Sequence, residues 1–450
     1  MQEQYPQNPY QNGCEQPPQG ELAPKNKGER VLKAIGAVAL GAACFVAGGF
    51  AHYFSLDSEL RALIQLKSRM QNSYYQEITD KQFYDAAFNG VNGLLDAYSY
   101  YLTADELLER QKQATGEKSG LGVAFSATAT GDEELKIAQV SGNSPAERAG
   151  VKAGERIVGY GKTENELQTA TTYQALVDFL RGCATGETLC LKLQSPNGQM
   201  RVVSLAKEEF LEGCVSYRTK DSAYRFVKGM ELEKIVYGDA LTVLNNDTAY
   251  ISLSSFNGVA AEEFAMAMEQ FQEDGKTNLV LDLRFNTGGY LDIMRDIASY
   301  FCKNATERFP VAIVADYGER KESYCAFGNC YDEYFTAESR ITVLADNHTA
   351  SASECLIGCM YDYGTIDYGD ICLSQRDGVA KTYGKGIMQT TYPFITAPGA
   401  VKLTTATVHW PVSNRCIHGR GILPEDGALQ VAENADFEAE LHQAVKTLFP

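Results

Sequence analysis

Apolar positions fall into four regimes along this chain. From Val31 to Phe54 they are nearly continuous, and no charged residue occurs between Ala34 and Ala51. A helix of that length crosses the ~30 Å hydrocarbon core of a bilayer. Over 55–116 the apolar residues thin to a helical spacing, with Leu60, Leu63, Leu66 and Met70 in step and few breakers between them. That spacing predicts a helical N-terminal segment, in its plainest reading a stalk. Over 117–208 the period shortens. SGLGVAF and ELKIAQV read as strands, SPAERAGVKAGERIVGYG as a short helix, a turn and a strand, and TYQALVDFLRG as an amphipathic helix. TLCLKL and QMRVVSLA alternate as a hairpin around the turn signal SPNG. Over 209–450 strands and helices alternate, the pattern of an α/β domain. There TNLVLDLRF and ITVLAD are apolar almost throughout, as buried parallel strands are.

Composition adds the setting. Residues 1–30 are rich in Gln, Pro, Gly, Asn and Tyr and carry no apolar period, which predicts a disordered tail. Lys25, Lys27, Arg30 and Lys33 precede or open the apolar span of 31–54. By the positive-inside rule the tail stays cytoplasmic and the remainder lies outside the cell membrane, as in a single-pass signal anchor. The rival is a cleaved signal peptide, against which the long tail and long span argue. A lipidated Cys44 is disfavoured, because Gly41 stands where a larger aliphatic residue belongs. The formal charge of −18 argues against nucleic acid as a partner. The chain has twelve cysteines, which outside a cell permit disulfides, and Cys325 and Cys330 flank a loop short enough to close. Cys355 and Cys359 stand at helical spacing and read as packed core. With no C-x-x-C pair, a zinc ribbon or thioredoxin-like site has little support. The sequon at Asn347 would place a glycan beside Ser351, which argues against its use.

Three segments carry candidate chemistry. DNHTASASECLIGCMYDYG follows the strand ITVLAD and sets Ser351 at a strand-to-helix junction. Free N–H groups and the dipole at a helix start stabilise a developing oxyanion. Plain helix capping by Ser or Thr explains the same residues. NTGG, Asn286–Gly289, follows LVLDLRF, and its glycines let backbone N–H groups approach a ligand. Gly288 or Gly289 would give one oxyanion donor and Ala352 the other; a tight turn is the plain alternative. KTYGKGIMQT sets Lys385 between two glycines. A lysine becomes a useful base when burial lowers its pKa from about 10.4, whereas a surface loop lysine does nothing of the kind. Among five histidines, His348, His409 and His418 keep a Ser-His-Asp arrangement open.

Taken together and in order, DAYSYYL, SGLGVAF, SPAERAGVKAGERI, DLRFNTGG, TASASE, YGKG, AVKLTTATVHWP and HGRGILPED resemble the C-terminal processing peptidases, PDZ-containing serine proteases with a Ser-Lys dyad. The resemblance covers nearly everything after the apolar span. It implies an α/β ClpP/crotonase-like protease core (209–450) with an inserted PDZ domain (117–208), a helical N-terminal segment (55–116) and a single transmembrane helix. It implies Ser351 as nucleophile, Lys385 as general base, Gln389 as the residue orienting the lysine, and Gly288, Gly289 and Ala352 as oxyanion donors. Asp362 falls where some members carry a supporting acid. Gly120, Leu121, Gly122 and Val123 match the loop that receives a terminal carboxylate. The chain departs from the pattern in its longer interval between Ser351 and Lys385, with extra residues between Asp367 and Lys381; Lys381 is the reserve base. Glu155 replaces a common aspartate, and ERKESYCAFGNCYDEYF has no counterpart.

The expected function is a membrane-anchored bacterial endoprotease cleaving proteins near exposed C-termini, needing no metal or cofactor, with an oligomer of identical chains left open. The alternatives are a catalytically inactive PDZ-based binding protein with a protease-like core and, less favoured, a crotonase-like acyl-CoA enzyme.

Overall fold

The computed structural model describes residues 27–125, 135–227, 231–235, 241–316, 320–376, 378–431 and 437–449. The expected disordered tail lies almost wholly outside them. The chain divides into two compact units, 1–87 and 88–450.

In the first unit, helix Lys27–Ser55 contains an 18-residue window, Val38–Ser55, long and apolar enough to cross a membrane. Helix Ser58–Ser73 follows, capped by Asp57. Helix Asp80–Asn92 begins at Thr79, whose hydroxyl accepts from the Gln82 N–H while Gln82 accepts from the Thr79 N–H. The stretch 55–116 is therefore not one helix. It is broken after Ser73, and again where Tyr100–Leu102 pairs as a strand with Ala400–Lys402. That pairing is tertiary, so helical spacing upstream carried no sign of it.

The second unit is built on an eight-stranded sheet. Strands Thr248–Leu253, Asn278–Asp282, Ile341–Ala345, Ile371–Ser374 and Leu429–Val431 run parallel, in chain order, and an antiparallel meander of Val215–Arg218, Ala223–Val227 and Glu231–Ile235 extends one edge. Every residue of Asn278–Asp282 and Ile341–Ala345 is buried, which is why both read as continuous apolar runs. Leu279, Leu281, Val343 and Ala345 face a core with helices Ala260–Glu273, Leu291–Ala298 and Ala352–Asp362. Val280 and Leu344 face the other way, against Leu441, Ala444 and Val445 of the last helix, Phe437–Leu448. The period of two in strand side chains thus seats helices on both faces.

A second sheet joins Ala400–His409 to Tyr100–Leu102, Arg308–Asp316 and Ile387–Pro393. Its edge is Lys321–Phe327, from the segment without a counterpart in the family pattern. Between Gly120 and Ala206 the chain builds a separate small core of Leu121, Ile137, Ile157, Leu176, Leu189, Leu191 and Leu205. It is framed by the four strands Arg156–Gly161, Gln168–Thr169, Thr188–Gln194 and Met200–Ala206, by the pair Val123–Phe125 and Ile137–Val140, and by helix Tyr173–Arg181.

Candidate active site

Ser351 stands between the buried strand Ile341–Ala345 and helix Ala352–Asp362. Its backbone has φ +59° and ψ −115°, a conformation a β-carbon makes costly and one that active sites retain. The turn is held from two sides. Ala350 N–H donates to the Asn286 carbonyl at 3.0 Å, and the Ser353 hydroxyl donates to the same oxygen at 2.9 Å. Asn286 is itself fully buried, with its amide nitrogen on the Leu253 carbonyl. The NTGG loop and the serine turn are therefore one packed unit.

Gly288 makes that packing possible. Its φ is +99°, and a β-carbon there would lie 2.7 Å from the Ala350 oxygen, 2.8 Å from Ser351 Cβ and 2.9 Å from Ala352 N. Its own N–H is taken by Asn286 Oδ1 at 2.9 Å. The N–H groups of Gly289 and Ala352 have no partner among the described residues. Of the two glycines, Gly289 is the one with a donor to spare.

Lys385 reaches the serine turn through a residue to which the sequence reading gave no role. Glu354, in the first turn of the helix, is fully buried. Its Oε2 accepts from the Ser351 N–H at 3.0 Å and from the Lys385 N–H at 2.9 Å. Its Oε1 accepts from the Thr382 hydroxyl at 2.5 Å and from the Gly384 N–H at 2.9 Å. Thr382 Oγ1 in turn accepts from Ile422 N–H at 2.8 Å, which ties in the 417–422 turn. A buried carboxylate costs several kcal/mol unless its lone pairs are filled. Here four donors fill them, and the carboxylate joins the backbones of Ser351 and Lys385 through one atom. Burial pushes the Glu354 carboxyl upward, against the pull of those donors. The S-x-x-E spacing was visible in SASE, but only folding shows that the glutamate bonds across to a loop thirty residues away.

Lys385 is half-buried. Burial, then the nearby Arg110 guanidinium, hold its ammonium below the ordinary lysine range, with Glu354 opposing. Its Nζ lies 5.5 Å from the centre of the Tyr98 ring, and the Tyr98 and Tyr383 hydroxyls are 3.2 Å apart. No hydrogen bond joins Ser351 Oγ to Lys385 Nζ among the described residues. Gln389 lies on the strand Ile387–Pro393 with its amide 3.5 Å from Thr404 Oγ1, and the Thr404 N–H donates to Ser99 Oγ. Asp362 accepts from the N–H groups of Val412 and Ser413 and so serves that turn rather than the lysine. His348 stacks on Phe285, and His409 sits between Thr407 and the Asn414 carbonyl. The interval after Ser351 runs through the strand Ile371–Ser374 and the bridge Arg376–Val379, and the Lys385 N–H reaches Glu354 beyond them. Lys381 makes no such bond among the described residues. Cys325 and Cys330 are free thiols, while Cys355 and Cys359 are buried on the helix.

The second predicted site lies in the small core's edge. Gly120 and Gly122 have positive φ, and Leu121 is buried. The carbonyls of Leu121 and Gly122 accept from Ala146 and Ser141, whereas their N–H groups have no partner among the described residues. Val123 begins the strand that follows, and Phe125 meets Tyr173 of helix Tyr173–Arg181 with ring centres 5.6 Å apart.

Known proteins resemble this chain in sequence and in fold. The family model described as peptidase family S41 matches residues 247–426. A CtpA-like serine protease of Staphylococcus saprophyticus is 26% identical over 391 residues, covering 85% of this chain and 69% of that one. The carboxy-terminal processing protease CtpB of Bacillus subtilis is 26% identical over 359 residues, covering 79% of this chain and 65% of that one. Among solved structures, an S41 protease of Bacteroides fragilis aligns over 84% of this chain and 89% of that one, with a TM-score of 0.50 and 16% identity, a likeness of fold. Residues 247–426 thus match peptidase family S41, and over most of its length the chain is similar to serine proteases of the carboxy-terminal processing group.

Proposed function

We propose that this protein is a membrane-anchored endoprotease that cleaves polypeptides near their C-termini with a Ser351–Lys385 dyad. The observation that carries the reading is the Glu354 carboxylate, which accepts from the backbones of both residues. In the cycle, the neutral Lys385 amine takes the Ser351 Oγ proton as the oxygen attacks the scissile carbonyl. The N–H groups of Ala352 and Gly289 receive the oxyanion, with Gly288 giving the loop its close approach. The Lys385 ammonium then protonates the leaving amine, and water hydrolyses the acyl-enzyme by the same route. In the resting state Lys385 Nζ lies over the Tyr98 ring, so the first step begins with the lysine swinging toward Ser351. Gln389, four residues on in the strand that follows, orients it.

Residues 117–208 act as a PDZ module. Gly120–Val123 receives a terminal carboxylate on its free N–H groups, and the peptide adds as a strand beside Val123–Phe125. The span within 31–54 anchors the chain, with residues 55 onward outside the cytoplasm.

The test uses the full chain in detergent with an unfolded reporter protein, beside Ser351→Ala and Lys385→Ala. Cleavage by the parent with a loss of about 10³-fold or more in either variant is expected. Because the base must be neutral, kcat/KM rises with pH through the Lys385 pKa, below the ordinary value of about 10.4. Survival of activity in Lys385→Ala would move the base elsewhere.

A further inference from the structure

A second cationic feature lies beside Lys385. Arg110, on helix Ala104–Ala114, and Lys402, on strand Ala400–His409, are both set against the ring of Tyr100. The Arg110 guanidinium carbon is 5.8 Å and Lys402 Nζ 5.3 Å from the ring centre. Arg110 also donates to the Tyr100 hydroxyl at 2.6 Å, which fixes its orientation and leaves most of its N–H groups unused. Tyr100 and Lys402 are register partners across the strand pair, so the arrangement is built into the sheet.

Neither cation, nor Lys385, has a carboxylate within ion-pair distance among the described residues. Two acids are near. Asp96 is engaged by the Tyr98 N–H at 2.8 Å, and Glu354 by its four donors. Three half-buried cations that repel one another are an unfavourable arrangement in a free protein. Burial, then Arg110 and Lys385, push the Lys402 ammonium down to about 8. In a chain of formal charge −18, such a patch stands against the overall field. An arriving carboxylate would relieve the repulsion and satisfy the planar guanidinium fork.

We propose that Arg110 and Lys402, set against Tyr100, form a carboxylate-binding subsite beside Lys385 that takes an acidic group of the polypeptide substrate. The group is either the free terminal carboxylate of the fragment to be released or an Asp or Glu side chain near the scissile bond. This inference rests on Lys385 lying at the cleavage site. It is separate from the Gly120–Val123 loop, which offers backbone donors and no cation.

The experiment compares three peptides with the full chain in detergent: one ending in a free carboxylate, its C-terminal amide, and the amide with a Glu beside the scissile bond. Each is measured with the parent, Arg110→Gln, Lys402→Gln and Lys402→Arg. Gly120–Val123 would also read a terminal carboxylate, so the readout is the difference between parent and variants. KM for one carboxylate-bearing peptide is expected to rise about five-fold or more in each Gln variant, with the uncharged amide within about two-fold of the parent, and Lys402→Arg to retain the preference. The preference in the parent is expected to shrink as salt is raised. The terminal-carboxylate and Glu arms tell the two sources apart. A parent indifferent to all three peptides, or variants in which KM rises equally for all three, would overturn the subsite; a common change in kcat reports on Lys385 instead. Should the Gln variants fail to fold, the parent's peptide and salt comparison still decides. Loss of cleavage in Ser351→Ala tests the dyad independently of every one of these outcomes.

Discussion

Two places in this chain present paired backbone N–H groups without partners among the described residues: Gly289 with Ala352 in the catalytic core, and Leu121 with Gly122 in the small core. Both suit an oxygen anion, yet their surroundings differ. The first is packed shut. Gly288 has no room for a β-carbon, Asn286 is buried between strand and turn, and a buried carboxylate ties the serine to the lysine loop. The second is closed on one side only: a β-carbon on Gly122, φ +80°, would lie 2.1 Å from Ser144 Cβ, whereas its neighbour Gly120, φ +137°, has nothing within 4 Å of that position. A donor pair that stabilises a transient oxyanion gains from being immobile before the reaction starts. A pair that accepts the ends of many chains needs only the right backbone conformation.

Substitutions can break this contrast. The largest effect is expected from Gly288→Ala, which drives a methyl group into Ala350, Ser351 and Ala352 at a positive φ. We expect kcat to fall about 10²–10³-fold, as for loss of an oxyanion donor. Steady-state kinetics with the reporter protein check this, and a variant altered only in KM would refute a rigid catalytic junction. Glu354→Gln comes next. It removes the charge and turns one amide NH2 toward N–H or O–H groups that already donate, leaving buried donors unsatisfied at about 1–3 kcal/mol each. A kcat loss near 10²-fold with little change in KM, and a fall in Tm by scanning calorimetry, are expected. An unchanged kcat would remove Glu354 from its positioning role. The smallest effect is Gly120→Ala, which meets no atom and adds backbone strain of about 1–3 kcal/mol. KM for substrates ending in a free carboxylate should rise a few-fold, with kcat kept. If instead kcat collapsed, the two donor pairs would be coupled, and the small core would act as part of the catalytic machinery.

Much of the site was legible because its elements are local. An apolar run followed by small residues and a new helix marks a strand-to-helix junction, so Ser351 and the NTGG loop stood out. The buried strands Asn278–Asp282 and Ile341–Ala345 were legible for the same reason: burial on both faces leaves few polar positions. The strand Tyr100–Leu102 was not. Its partner is three hundred residues away in Ala400–Lys402, and a three-residue strand has no period of its own.

The sequence by itself determined the order of regimes, the apolar span, the candidates for nucleophile, base and oxyanion donors, and the resemblance to a peptidase family that their order carries. Tertiary structure decided the rest. It showed that Gly288 spends its N–H on Asn286 while Gly289 does not. It also showed that Glu354 joins the backbones of Ser351 and Lys385, and that Arg110 and Lys402 gather on Tyr100 beside Lys385. The physical reason is one of range. Apolar periodicity and turn chemistry act between near neighbours along the chain, whereas a carboxylate's choice among donors, and a lysine's loss of its shell of water, depend on atoms that only folding brings within a few ångströms.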